Sequence, residues 1–385
     1  MGINKEINIY TNGDPAKLET FSNVPFFFIK TLKEKGIKVN AIDISPIARW
    51  GRIWNRYALR ILKIFFPKTT YSYDRTWINE ISTRIKIKKA VELYPKADLH
   101  IFLTYIANTR GLINRPCILV SDWNYEFVIT NFWDSVPDFF QNFAITRQNK
   151  IMQDSDFIFS LFPGSTSWIK EKYNKSGIKL NPKIYQFRNF LNSLENPVEE
   201  GIIKRKIESK SLLFIGKNHY LKGAVSLIKA FQKLKIEDPE WELHIIGLKE
   251  QDFPPGINGI IFHGYLNKEI TRERLLFYQL LTKATVFINT NPRWGAYSST
   301  LEAMNFYTPV LVSRYDEFES NFGEELDFGY YVRLNESHLI YDKIMSIVRQ
   351  PTYHQLCLNA HEKVKDFTWN NAMDDFFKKI NYTLN

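Results

Sequence analysis

The stretch Asn289-Thr290-Asn291-Pro292-Arg293-Trp294-Gly295-Ala296-Tyr297-Ser298-Ser299-Thr300-Leu301-Glu302-Ala303-Met304 decides how this chain folds. Before it, Ala284-Thr285-Val286-Phe287-Ile288-Asn289 is a short β-branched and aromatic run of the kind that makes a buried strand. After it, Leu301 and Met304 at helical spacing lead into Pro309-Val310-Leu311-Val312, which reads as a second buried strand. A strand, a small-residue turn carrying Gly295, Ser298, Ser299 and Thr300, and then a helix is an anion-binding arrangement. The first N–H groups of a helix lack intrahelical partners and carry the positive end of its dipole, so an anion such as a phosphate is expected there.

The same alternation extends outward. Leu212-Leu213-Phe214-Ile215, Glu242-Leu243-His244-Ile245-Ile246 and Gly259-Ile260-Ile261-Phe262 read as strands, with helical patterns over residues 223–234 and 273–282. Strands separated by helical segments imply a parallel sheet with right-handed crossovers. Leaving the first of these strands is Gly216-Lys217-Asn218-His219-Tyr220-Leu221-Lys222-Gly223. Its two lysines, five residues apart on one loop, can close on a single pyrophosphate from two sides, because charge-assisted hydrogen bonds gain strength where water is excluded. Surface lysines are common, so the loop takes its weight from Glu302 downstream and from Gly264 in the strand end between them.

The first half repeats the pattern. Ile7-Asn8-Ile9-Tyr10, Val39 to Ile44, Leu99 to Leu103, Cys117 to Val120, Ser155 to Ser160 and Tyr185 to Phe190 read as strands, with a helix over Pro25 to Lys35. Ser121-Asp122 follows the fourth run at the carboxyl end of a strand, where ligands of open α/β sheets bind. Asp122 is therefore a candidate ligand-binding group, with loop capping as the plainer alternative. Asp154-Ser155-Asp156 has a metal-binding spelling but reads as a helix-to-strand junction. Residues 191–210 have the composition of a linker. The chain thus divides into residues 1–195, residues 205–368 and a final helical segment, 369–385.

Residues 47–68 form a second informative stretch. At about 100° per residue, Arg49, Arg52, Arg56, Arg60 and Lys63 share one arc, and Trp50, Ile53, Trp54, Tyr57, Ile61, Ile64 and Phe65 another. A basic, aromatic amphipathic helix over 48–66 suits either an anionic membrane surface or a surface position with its apolar face on the core.

At 385 residues and 44% apolar composition, the chain is globular and suggests two domains. Two cysteines, Cys117 and Cys357, support neither a disulfide framework nor a zinc site, which fits a reducing, cytoplasmic setting. The N-terminus lacks signal-peptide character, and no run is long enough to span a bilayer. Of the net charge of +10, residues 1–100 carry 18 Lys and Arg against 9 Asp and Glu, while the rest carry 33 against 32. No recognisable nucleic-acid module accompanies this charge, so nucleic acid is not expected as a partner.

The order small-residue turn, Leu301-Glu302-Ala303-Met304, short spacer and Pro309-Val310 resembles the donor site of the family 4 retaining glycosyltransferases. The resemblance implies the GT-B fold: two doubly wound Rossmann-like α/β domains facing a cleft, with a C-terminal helix crossing back to the first. It implies a nucleoside diphosphate sugar as co-substrate, no metal or other cofactor, and a glycan or lipid-linked acceptor. Lys217 and Lys222 would neutralise the diphosphate, with Lys217 standing where the family has Arg. Gly216, Asn218, Arg293, Gly295 and the N–H groups of Ser298, Ser299 and Thr300 would line it. Glu302 would accept from the ribose, and Gly264 and Tyr265 would receive the base. Ser22 and Asn23 would belong to the acceptor-side loop, and Asp122 stands where the family has the Asp of His-Asp.

The chain also departs from the family pattern. The first of two expected glutamates is Trp294, the usual spacer glycine is Tyr307, and the loop over residues 11–24 holds a single glycine. An indole at the sugar hydroxyls points to a donor with an apolar edge, such as a deoxy sugar. A catalytically inactive subunit of the same shape, binding glycan or protein, is the alternative.

Overall fold

A computed structural model of the chain describes residues 5–175, 182–198, 200–254, 256, 258–291 and 297–382. Two compact units emerge, one of residues 1–190 with 369–385 and one of residues 191–368. The first is built on a six-stranded parallel sheet of β1 (Glu6–Thr11), β2 (Lys38–Asp43), β3 (Leu99–Phe102), β4 (Cys117–Ser121), β5 (Phe157–Ser160) and β6 (Lys183–Gln186), in the order β2-β1-β3-β4-β5-β6. Its central strands are covered on both faces, which is why β3 and β4 are buried along their whole length without alternation.

The second unit holds β7 (Ser211–Ile215), β8 (Glu242–Ile246), β9 (Ile260–Gly264), β10 (Val286–Asn289), β11 (Val310–Ser313) and β12 (Gly329–Val332), in the order β12-β11-β10-β7-β8-β9. Both orders reverse direction beside the first strand of their unit, and such reversals create the crevice at the carboxyl ends where α/β proteins bind ligands. In the second unit the reversal lies between β7 and β10, the two strands that feed the lysine loop and the small-residue turn.

The helix Trp369–Lys379 belongs to the first unit. Trp369 stacks near Phe27 and Phe190, and Phe376 meets Phe28, Phe159 and Phe187. Lys35 pairs with Asp374 at 2.7 Å, and Lys379 Nζ donates to the Gln186 carbonyl.

Several local expectations need correction. The last strand of the first unit is Lys183–Gln186, two residues earlier than the aromatic run at 185–190 suggests. Part of the segment read as linker is the helix Ile202–Ser209, whose Ile202, Ile203 and Lys206 are buried. Fully buried Lys206 donates to the carbonyls of Leu281 and Ala284 and meets Thr308 Oγ1 at 2.8 Å. Residues 48–65 are one continuous helix, with a wider π turn at Trp54–Ala58. Trp54 leaves the apolar arc and turns inward, donating through Nε1 to the Tyr71 carbonyl. Leu62 also packs inward, against the cluster of Tyr71, Tyr125, Ile129, Ala144 and Ile145.

Asp154 caps the C-terminus of the helix Phe139–Gln153, and Asp156 Oδ2 accepts from the Cys117 N–H at 2.7 Å. These roles pin β4 to β5, as a helix-to-strand junction requires.

Candidate functional site

Three neighbouring strands of the second unit, β7, β8 and β9, each end on or just before a glycine. The Gly216 N–H donates to the Ile246 carbonyl at 3.0 Å, and the Gly247 N–H donates to the Gly264 carbonyl at 2.7 Å. Space and conformation both demand glycine at Gly247. Its φ is +96°, and a Cβ there would lie 2.5 Å from the Gly216 carbonyl oxygen. At Gly216 a Cβ would meet that of Tyr220 at 2.6 Å. Gly264 has a φ of +63° with open space around its would-be Cβ. The glycines let the ends of the three strands pack closely on one another along the carboxyl edge of the sheet. Gly247 was not singled out in the sequence, although it follows Ile245-Ile246 just as Gly216 follows its own apolar run.

From Gly216 the chain makes a tight turn, Asn218–Tyr220, into the helix Leu221–Glu237. Lys217, Asn218 and Lys222 are exposed. Lys217 Nζ stands 5.0 Å from the ring centroid of Tyr265, so the lysine loop and the β9 end that would receive a base are neighbours. Gly223 brings the start of this helix against the segment leaving β10. A Cβ on Gly223 would lie 3.0 Å from the Asn291 nitrogen, so the helix start presses directly on the backbone leaving β10. Asn335, another residue the sequence does not advertise, donates through Nδ2 to the Lys222 carbonyl and accepts from Ser226 Oγ at its own carbonyl.

Arg293, Trp294 and Gly295 lie outside the described residues. Beyond them the helix Ser298–Asn305 begins with Ser298 exposed, Ser299 half-buried and Thr300 buried. Its first intrahelical acceptor is the Tyr297 carbonyl, bonded by the Leu301 N–H at 3.0 Å. The N–H groups of Ser298, Ser299 and Thr300 therefore precede the helical ladder. Tyr297 itself is buried, and its hydroxyl accepts from Asn321 Nδ2.

Glu302 is buried and paired with Lys268, Nζ to Oε1 at 2.5 Å. Lys268 also lies over the rings of Phe277 at 4.0 Å and Tyr278 at 5.5 Å. Burial pushes the Glu302 carboxyl above the ordinary carboxylate range, and the Lys268 ammonium opposes that rise. The sequence pointed to Glu302 but not to its partner, which comes from a separate loop. A carboxylate has about four lone-pair sites, so this pairing leaves capacity for a ribose hydroxyl.

The departure at Tyr307 has a structural origin. Tyr307 has a φ of +58°, and its N–H bonds the Met304 carbonyl while the Thr308 N–H bonds that of Ala303, both at 3.0 Å. This is a Schellman helix stop, in which the left-handed position is usually glycine. Here its ring stacks on His361, with centroids 4.1 Å apart and planes 10° from parallel.

In the first unit, Asp122 follows β4. Its Oδ1 accepts from the Trp123 N–H at 2.8 Å and from Ser121 Oγ at 3.2 Å. Burial raises its carboxyl, and those two donors oppose the rise. Ser22 and Asn23, with Phe21, form a turn in which three successive non-glycine residues have φ of +42°, +53° and +69°. Such backbone costs of order 1 kcal/mol or more per residue. The turn leads into the helix Val24–Glu34, while upstream Thr20 Oγ1 donates to the Asp14 carbonyl and the Gly13 N–H to Asp43 Oδ1. The single-glycine loop thus makes left-handed turns without glycine.

Residues 209–350, which contain the lysine loop, the three glycines and Glu302, match the family model described as Glycosyl transferases group 1. The match covers 142 of the 385 residues, all within the second unit. The whole chain is similar in fold to sucrose-phosphate synthase of Thermosynechococcus elongatus, with 14% identity and a TM-score of 0.63 over 98% of this chain and 99% of that one. It is also similar to HepE of Anabaena, solved with UDP and glucose, at 14% identity and a TM-score of 0.61 over 98% of this chain and 100% of that one. A glycosyltransferase from Rickettsia africae gives 14% identity and a TM-score of 0.61, covering 97% of each chain. At these identities the likeness establishes the fold, GT-B. No curated protein matches the sequence.

Proposed function

We propose that this protein is a glycosyltransferase that moves a hexosyl or deoxyhexosyl unit from a nucleoside diphosphate sugar to a glycan or lipid-linked glycan acceptor, with retention and without a metal. The observation that carries this reading is the seating of Gly223 on the Asn291 backbone. It sets Lys222 beside the strand end that leads to the helix Ser298–Asn305, while Lys217 stands by Tyr265.

In this scheme the bond from the anomeric carbon to the diphosphate oxygen breaks, and the acceptor oxygen bonds to the same face of that carbon. The acceptor proton passes to the departing phosphate. Lys217, Lys222 and the N–H groups of residues 298–300 stabilise the charge that develops on the diphosphate, the part a divalent ion plays in other enzymes. Glu302 holds the ribose, and the raised carboxyl of Asp122 orients the acceptor. UDP in the Anabaena HepE structure makes uridine the first base to test. No helix among the described residues is long and apolar enough to cross a membrane. We place the enzyme at the cytoplasmic face of a membrane, where a lipid-linked acceptor would be presented.

The test is a panel of labelled nucleotide sugars, scored in EDTA for hydrolysis and for transfer to simple glycoside acceptors, with the product anomer read by NMR. Turnover of one donor in EDTA with retention supports the scheme. An inverted product or a strict metal requirement refutes it. A chain that binds a glycan but turns over no donor is the inactive subunit instead.

A further inference from the structure

The helix over residues 48–65 has a feature that its place in the fold does not use. Its inward side is satisfied by Trp54 and Leu62 on the aromatic cluster of the first unit. Yet Trp50, Tyr57, Ile61, Ile64 and Phe65, on the outward side, are each more than half exposed. The helix end joins a second exposed apolar element. Phe66 packs on Phe140 with ring centroids 5.8 Å apart, and the neighbouring Phe139 is 72% exposed. Arg49, Arg52, Arg56, Arg60 and Lys63 are exposed along the same helix, and the sequence holds no Asp or Glu between Asp43 and Asp74.

We propose that this face is a docking surface for an anionic lipid bilayer. The helix would lie in the plane of the headgroups, its aliphatic and aromatic side chains entering the acyl boundary and its cations meeting lipid phosphates. Charge selects this occupant over the others. A second copy docking through the same patch would set cations opposite cations. A nucleic acid would use the cations and leave Ile61 and Ile64 in water. An anionic bilayer satisfies both kinds of side chain together. The inference is independent of donor chemistry, which belongs to the other unit, so binding and turnover can fail separately.

The full chain would be sedimented with vesicles of equal parts phosphatidylglycerol and phosphatidylcholine, and with pure phosphatidylcholine, at low and high salt. Two triple variants accompany it: R52Q/R56Q/R60Q, and Tyr57→Ser with Ile61→Ser and Ile64→Ser. These side chains are exposed, so circular dichroism and Tm should match wild type. Wild type should bind the anionic vesicles, weaken in salt and ignore the neutral ones. Loss of three cations should reduce partitioning roughly a hundredfold, and the serine variant should lose at least about tenfold. The proposal is overturned if wild type does not bind anionic vesicles at low salt, if it binds neutral ones equally, or if either variant binds like wild type. A dimer in sedimentation velocity that the serine variant abolishes, with no vesicle binding, would assign the face to a second copy.

Discussion

Replacing Lys268 by Met would leave the buried Glu302 carboxylate without its counter-ion. In wild type the ammonium and the Glu302 carboxylate are 2.5 Å apart, with side chains only 11% and 6% exposed. Removing one partner of such a pair costs about 3–5 kcal/mol, because the remaining charge stays desolvated. The unit of residues 191–368 is of a size at which 1 kcal/mol shifts Tm by roughly 2–4 °C, so the expected fall is of order 6–20 °C at pH 7. The deficit should depend on pH with a definite sign. Glu302 has a folded-state pKa above its unfolded value, so the folded state binds the extra proton. Acidification through that range therefore favours folding, and K268M, lacking the opposing ammonium, should recover relative to wild type between pH 7 and pH 5. The double variant K268M/E302Q, with no charge left to bury, should regain most of the loss at pH 7. Differential scanning calorimetry at several pH values measures all three. A K268M Tm within about 2 °C of wild type, or a deficit that does not change with pH, would refute the reasoning.

Two further outcomes are expected. At the helix stop, Tyr307→Gly relieves about 1 kcal/mol of left-handed strain but forfeits the His361 stack and a buried ring, so it should destabilise by a net ~1–3 kcal/mol in denaturant titration; a stabilised variant would contradict this. Burial lowers the Lys206 amine to about 7, so between there and its unfolded value the unfolded chain binds the additional proton, and stability should rise from pH 7 to pH 9. Lys206→Met should flatten that rise in thermal melts, and an unchanged slope would count against it.

Much of the fold was legible because parallel strands covered on both faces leave uninterrupted apolar runs, as in Leu212 to Ile215 and Val310 to Val312. What escaped had a physical cause in each case. The edge strand Gly329–Val332 carries half-exposed Tyr330 and Tyr331, and no apolar run announces it. The helix Ile202–Ser209 was hidden by its charges, one of which, Lys206, is buried on tertiary acceptors that local pattern cannot reveal. Trp54 fell on the wrong face because its inward turn depends on a tertiary acceptor, the Tyr71 carbonyl, that local pattern cannot reveal. In the site, the lysine loop and Glu302 stood out by residue type and spacing. Lys268 and Asn335 did not, because their roles come from contacts 34 and 113 residues away in the chain. Gly247 could have been found by asking which residue ends each strand of one sheet.

The central claim is that the carboxyl edge of the second sheet binds a nucleoside diphosphate through Lys217, Lys222 and the start of the helix Ser298–Asn305. Isothermal titration of UDP, GDP, dTDP and ADP in EDTA, against wild type and Lys222→Ala, tests it most directly. One nucleotide should bind wild type, and the substitution should weaken it by roughly tenfold or more, the loss of one charge-assisted hydrogen bond. If no nucleotide binds wild type, or if Lys222→Ala binds as tightly, the diphosphate does not sit where this geometry places it.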